Sequence, residues 1–317
     1  MSKSKDGKVG QTSIKGRALS LRVQDAALEP VVTAFKQHVE NIDFLEIVPH
    51  ILISYGYEKV AWFNFFWKRA KIDEVKEHRD FDDLWRQTEE KVKEAAEKEE
   101  AQKEFRRHLW ETAKGHLLEL TKDQKVGEAL RLIRQMRLLL SWTSFECLAS
   151  DSSEAAVNVR PLTLGHPAFA NLPQDSEDIA GLETKSVSVG LLAKYGFDIR
   201  GKLGTLLKPK FDFTGVSGIR EAYAAAFGDK LPLDSILGDE NLSQLEVVRH
   251  AIVHRAGIAD ELYLKRTHSA IGLGAPIEVD DKTEEALVRA SVDAGHSLLE
   301  HIDRYLMTNT EQAPLEH

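Results

Sequence analysis

Between Asp80 and Leu120 the apolar residues fall at helical rather than strand spacing. Phe81, Leu84, Trp85, Val92, Ala95, Ala96, Phe105, Leu109, Ala113 and Leu117 recur at steps near three and four, which an α-helix places on one side. A segment patterned this way cannot sit as a half-buried strand, because period-two pairing would put its large side chains on both faces. The pattern predicts one long helix from Asp80 to Leu120. Its middle, Glu89 to Glu104, is mostly Glu, Lys, Gln and Ala, and reads as a solvated face with opposed charges one turn apart. Further helices are expected around Ser186 to Tyr195 and Gly215 to Phe227, and two or three between Val23 and Trp67. The fold class is mainly α.

Residues 1–17 carry Lys3, Lys5, Lys8, Lys15 and Arg17 against one acid, Asp6, and read as a flexible basic arm. A helical domain over 18–122 follows. It is dense in Phe44, Trp62, Phe63, Phe65, Phe66 and Trp67, and with Ile47, Ile51 and Ile53 nearby this cluster reads as core or subunit contact, with base stacking as the alternative. Thr121 to Lys125 and Gly127 mark a junction, after which a second domain spans 123–310. Within it, Asp151 to Asp178 is rich in Ser, Pro and Asn, including Pro161, Pro167 and Pro173, and predicts a long surface loop with a short helical turn. Residues 311–317 form a tail whose Leu315-Glu316-His317 resembles the start of a cloning-vector tag.

Composition narrows the function classes. The single cysteine, Cys147, excludes an intramolecular disulfide, and its apolar flanks Phe145 and Leu148 suggest packing rather than thiol chemistry. No signal-like leader and no apolar run of about 18 residues occurs, so a cytoplasmic protein with no membrane contact is expected. A formal net charge of −9 argues against a general nucleic-acid coat, though not against a nuclease with a local basic cleft. Lys202, Lys208 and Lys210 form the best local cationic candidate for an RNA backbone path, with a solvated loop as the alternative. There is no glycine-rich phosphate loop, no Gly-x-Ser-x-Gly elbow and no Cys/His zinc spacing, and no cofactor is implied.

Chemistry is suggested in one place, Asn241 to Gly257. Asn241 or Ser243 can cap the start of a helix, Leu242, Leu245, Val248 and Ile252 form a stripe toward a core, and Gly257 can take the left-handed conformation that ends it. His254 lies in the last turn, where the helix dipole favours a protonated ring. Imidazoles move protons near neutral pH and a guanidinium forks onto phosphate oxygens, so Arg249, His250 and His254 suit phosphodiester cleavage. At about 100° and 1.5 Å per residue, Arg249 and His254 stand about 140° and 7.5 Å apart. Arg249 must therefore reach round, or another surface must complete the site. The same residues also suit capping of free carbonyls, and His250 and His254 one turn apart are a ligand pair for a metal, although Ala251 stands where a His-Glu-x-x-His motif needs its glutamate.

The stretch from Leu245 to Gly257, L-E-V-V-R-H-A-I-V-H-R-A-G, resembles the signature helix of the HEPN superfamily, whose ribonuclease members carry Arg, a polar residue and, a few positions later, His. Arg249, His250 and His254 occupy those places, with His250 where the family often has Asn. Glu128 to Leu148 resembles the first long helix of such domains, with Glu146 near its end, and Lys282 to Leu306 the last. Between them a polar, partly extended stretch is expected from Gly257 to Leu264. The resemblance covers roughly Asp123 to Thr308. It implies a HEPN-type helical bundle with an N-terminal helical extension, dimerising through the Asn241–Gly257 helix so that two Arg–His sets share a cleft. The implied reaction is metal-independent endoribonuclease cleavage through 2′-hydroxyl attack. His254 would transfer protons, Arg249 would hold phosphoryl oxygens, His250 would orient or assist, and Glu146 would hold Arg249 or an imidazole in place. The implied setting is a bacterial toxin or phage-defence effector, with an antitoxin as a possible partner. A catalytically silent RNA- or protein-binding scaffold is the alternative.

Overall fold

The computed structural model describes residues 14–69, 81–172, 189–199 and 201–309. Lys3, Lys5 and Lys8 of the basic arm, residue 80, the end of the expected loop from Pro173 onward, residues 186–188 and the 311–317 tail lie outside the described residues. The described chain is mainly helical and contains no strand; its one β-type pairing is an isolated antiparallel bridge between Ile258 and Pro276. In chain order the helices are α1 (Ile14–Ser20), α2 (Glu29–Arg69), α3 (Phe81–Ala96), α4 (Glu99–Leu120) and α5 (Gln124–Val159), followed by α6 (His166–Ala170), α7 (Val189–Lys194), α8 (Leu203–Leu207) and α9 (Val216–Phe227), and then α10 (Leu233–Leu237), α11 (Glu240–Arg255), α12 (Glu261–Thr267) and α13 (Asp281–Thr308). No described helix is long and apolar enough to cross a membrane.

Two compact units divide the chain: residues 1–43 with 135–317, and residues 44–134. The chain passes between them inside α2 and inside α5 rather than at a loop.

In the first unit α13 is the central packing element. Leu287, Val288, Leu298, Leu299, Ile302 and Leu306 on it are fully buried, and α1, α10 and α11 all pack against it. Trp142 and Phe145 of α5 are also sealed from solvent, and truncating side chains of this size in a core costs ~3–5 kcal/mol. At Gly295 α13 passes Phe35 of α2 and Leu148 of α5 so closely that an added Cβ would lie 3.0 Å from Phe35 Cζ and 3.1 Å from Leu148 Cδ1. Polar groups reinforce this packing. Arg137 of α5 pairs with Glu284 in the first turn of α13 at 3.0 Å, both nearly sealed from water. The buried Asp303 carboxylate accepts the backbone N–H groups of Gln24 and Asp25, which ties the segment after α1 to α13.

The second unit has its own small core of Phe66, Val92, Ala96, Ala101 and Phe105, with Trp62, Phe65 and Trp67 partly buried against it. Phe44, by contrast, is 54% exposed.

Several elements differ from their expected form. The helix expected over 80–120 is two, because the chain turns at Glu97 and Lys98 takes an extended conformation (φ −74°, ψ 122°) before α4. Apolar spacing on either side hides such a break when the intervening residues are all helix formers. Val23 to Trp67 holds a short 3-10 turn and then one 41-residue helix that runs through Pro49. The loop expected from Asp151 is largely helical instead: α5 continues to Val159, followed by a π-helical turn over Pro161–Gly165 and by α6. Its serines are packed rather than looped out. Ser152 Oγ bonds the carbonyl of Leu148 at 2.6 Å and meets the Tyr223 hydroxyl at 2.8 Å, which satisfies a hydroxyl that would otherwise compete with the helix. The stretch after Gly257 is not extended as far as Leu264, since Asp260 caps α12 by accepting from the Tyr263 N–H.

Candidate functional site

α11 carries the signature residues. Its cap is Asp239, whose carboxylate accepts the Asn241 N–H at 2.7 Å, rather than Asn241 or Ser243. Leu242, Leu245, Val248 and Ala251 are buried and Ile252 packs on the same core, so the stripe read from the sequence faces inward. The helix ends on two successive left-handed residues, Ala256 (φ 53°) and Gly257 (φ 75°), with the Gly257 N–H bonded back to the Ala251 carbonyl. A side chain at 257 would also meet Gln135, since an added Cβ would lie 2.4 Å from its Nε2. Backbone bonds from Ile277 to Gly257 and from Ala259 to Ala275 close the loop beyond.

Arg249 leans toward α5. Its Nη2 lies 3.6 Å from Glu146 Oε2, and both side chains are about one-fifth to one-quarter exposed. The same oxygen of Glu146 accepts the indole N–H of the buried Trp142 at 3.1 Å. Trp142 precedes Glu146 by four residues on α5, so the donor and acceptor share a face and the carboxylate is oriented before Arg249 reaches it. Burial pushes the Glu146 carboxyl above its ordinary value, with Asp212 adding to the rise, while Arg249 and the Trp142 bond oppose it. Arg249 Nε is buried and finds no hydrogen-bond partner among the described residues.

The two imidazoles sit on the other side of the helix end. The rings of His250 and His254 lie 4.6 Å apart at 46°, with His250 half-buried and His254 exposed. Asp260, the cap of α12, lies within electrostatic reach of His250. The Tyr263 N–H holds its carboxyl below the usual range, and Arg255, 3.5 Å away, and His250 act in the same direction. No hydrogen bond or ring contact joins Arg249 to either imidazole among the described residues, in keeping with their angular separation on the helix. No group of three or more His, Cys, Asp or Glu side chains placed to share a metal ion occurs among the described residues.

Protein-family models, curated proteins and solved structures yield no match to this chain. The chemistry of the site therefore rests on its own residues.

The lysines are placed unequally. Lys208 Nζ lies 2.6 Å from Asp151 and 3.1 Å from Glu154; burial alone would lower its pKa, but the two carboxylates reverse the shift and raise it. Its charge is thus already engaged. Lys202 is exposed and Lys210 half-buried, and neither makes an ion pair among the described residues. Cys147 is half-buried, and burial together with Asp151 and Glu146 pushes its thiol up, away from the reactive thiolate. Two residues of the site had no role in the sequence reading. Trp142 was legible only through its four-residue offset from Glu146, and Asp260 only as a carboxylate just beyond the helix stop.

Proposed function

We propose that the chain is a metal-independent endoribonuclease of the HEPN type, acting as a dimer through α11. The observation that carries this reading is the division of α11 into an anchored guanidinium and a pair of adjacent imidazoles. Arg249 is pre-oriented by Glu146 and Trp142, while His250 and His254 stand together at the solvent-facing helix end. A phosphoryl group entering beside Arg249 would meet a guanidinium that is about one-fifth exposed and already oriented by Glu146. One imidazole takes the proton of the 2′-hydroxyl as its oxygen attacks the adjacent phosphorus. An imidazolium returns a proton to the departing 5′-oxygen, leaving a 2′,3′-cyclic phosphate and a 5′-hydroxyl. Arg249 stabilises the charge that accumulates on the phosphoryl oxygens between these steps. His254 is assigned the proton transfer, and His250, within electrostatic reach of Asp260, the orientation of its neighbour.

Within one chain Arg249 and His254 diverge, so the reading requires a second copy whose α11 supplies the complementary half across a two-fold axis. On the HEPN resemblance alone, the proposal extends to an effector that cuts cellular RNA, such as a toxin restrained by an antitoxin or a phage-defence nuclease. The test is incubation of the protein with total cellular RNA in EDTA, with cut ends mapped and sedimentation used to count subunits. Discrete cuts bearing cyclic phosphate are expected, and Arg249→Ala and His254→Ala should each abolish them in a dimer that remains folded. Full activity in either variant overturns the assignment. A monomer that cuts nothing favours the silent scaffold, consistent with the divergence of the two side chains in a single copy.

A further inference from the structure

The second unit holds a cleft unrelated to α11. It lies between Ser54, Tyr55 and Glu58 of α2 and Arg106, Leu109 and Trp110 of α4, and has a volume of about 260 Å³. That is near the lower end of ligand-binding clefts, roughly 300 Å³, and suits one flat ring system with little else. Its lining has two aromatic rings open to solvent, Tyr55 at 74% and Trp110 at 37% exposure. His50 stacks on Trp110 with centroids 5.0 Å apart, which backs the indole with a second ring. One buried polar atom of the lining, Ser54 Oγ, has no hydrogen-bond partner among the described residues, and neither has His50 Nδ1 on the ring stacked on Trp110. Native structures rarely leave such atoms unpaired unless water or a ligand completes them. Glu58 and Arg106, one of each sign, are exposed, and neither is engaged in an ion pair among the described residues.

We propose that this cleft binds a guanine base. Stacking on aromatic side chains is how proteins hold a base that has left its own stack, and Tyr55 and Trp110 provide the surface. The two charged groups select which base. Guanine presents two adjacent donors, N1–H and the N2 amine, which a carboxylate such as Glu58 accepts together. It also presents O6 and N7 as paired acceptors, the edge that an arginine reads. Adenine offers a donor where O6 would be, no proton on N1 and no amine on C2, so it meets Arg106 with the wrong group and leaves both Glu58 oxygens unpaired. Cytosine and uracil are smaller and cannot present both edges at once. The same chemistry arises from a guanosine within single-stranded RNA or from a free guanine nucleotide. The first would make the cleft a sequence reader for the nuclease proposed above, and to that extent it rests on that proposal. Guanine binding itself does not.

The test uses the full chain carrying Arg249→Ala, so that RNA is not consumed. It is titrated by calorimetry with GMP, AMP, CMP and UMP, and by fluorescence anisotropy with a short single-stranded oligouridine containing one guanosine or one adenosine. GMP should bind at least about tenfold more tightly than the other nucleotides. Trp110→Ala should weaken binding by about tenfold or more, with Trp110→Phe retaining most of it. Glu58→Gln, an exposed substitution, should erase the preference for guanine over adenine while leaving the circular dichroism spectrum unchanged. Tighter binding of the guanosine-containing strand than of GMP identifies RNA as the source; the reverse identifies free nucleotide. Absence of nucleotide binding, equal affinity for all four bases, or an unaltered profile in Trp110→Ala overturns the proposal. Because binding is read in a chain without Arg249, that failure leaves the ribonuclease reading untouched, and absence of cleavage leaves this one untouched.

Discussion

Replacing Arg137 with Met should destabilise the first unit far more than removing an ordinary surface charge. Its Nη1 lies 3.0 Å from Glu284 Oε1, and the two side chains are 7% and 8% exposed. Coulomb's law at an effective dielectric of about 20 gives roughly 5–6 kcal/mol of attraction at that separation. Taking each ion out of water costs several kcal/mol, so the intact pair is worth little against apolar residues of the same size. Removing one member is different. Glu284 then loses the Arg137 guanidinium in a dry site, and breaking a buried pair in this way costs about 3–5 kcal/mol. The second contact of Arg137, to the 43% exposed Glu285 at 3.6 Å, adds little because solvent screens it. Urea unfolding followed by tryptophan fluorescence gives the comparison, with wild type, Arg137→Met and Arg137→Met/Glu284→Leu measured together. The single variant should lose about 3–5 kcal/mol, and the double variant should return to within about 1 kcal/mol of wild type, since nothing charged remains stranded. A single variant that loses less than about 1 kcal/mol, or a double variant no more stable than the single, would show that the pair is not dry in solution.

Two further perturbations address α11 and its partner helix. Gly257→Ala should lower stability by about 1–3 kcal/mol from left-handed strain alone, and further because the new Cβ displaces the Gln135 amide, so an unchanged thermal midpoint would contradict the helix stop. Glu146 titrates above its unfolded value when folded, so its contribution to stability is complete below about pH 4.3 and is lost as pH rises through the folded pKa. Glu146→Gln cannot titrate, and wild type should therefore lose stability relative to this variant as pH climbs from about 4 toward neutrality; parallel stability profiles would remove burial as the dominant influence on that carboxyl.

How much of this was legible in the sequence depended on whether local chemistry and burial agreed. α9, α11 and α13 declare themselves because their apolar spacing runs along the helix itself, even though α11 is capped by Asp239 rather than by Asn241 or Ser243. The Ser-rich residues after Asp151 misled for the opposite reason. Serine disfavours a helix interior only while its hydroxyl seeks the backbone in other conformations, and here Leu148 and Tyr223, one of them 71 residues away in the chain, satisfy Ser152. The break at Lys98 was invisible because Glu, Lys and Ala are helix formers on both sides of it. At the site, the types and spacing of Arg249, His250 and His254 were readable, and so was the divergence of Arg249 from His254. The Trp142–Glu146–Arg249 chain was only partly so, since a carboxylate on α5 meets α11 through tertiary packing that no local pattern records.

The tight passage at Gly295 reaches beyond packing. Phe35 and Leu148 press there against a position with no side chain, and Leu148 lies two residues from Glu146 on the same rigid rod. Because α11 also rests on α13, the gap between Glu146 and Arg249 is gauged from a point that neither residue touches. A methyl group inserted at 295 would require Phe35 and Leu148 to give by a few tenths of an ångström, and a shift of α5 in response would be read out at the Glu146–Arg249 gap.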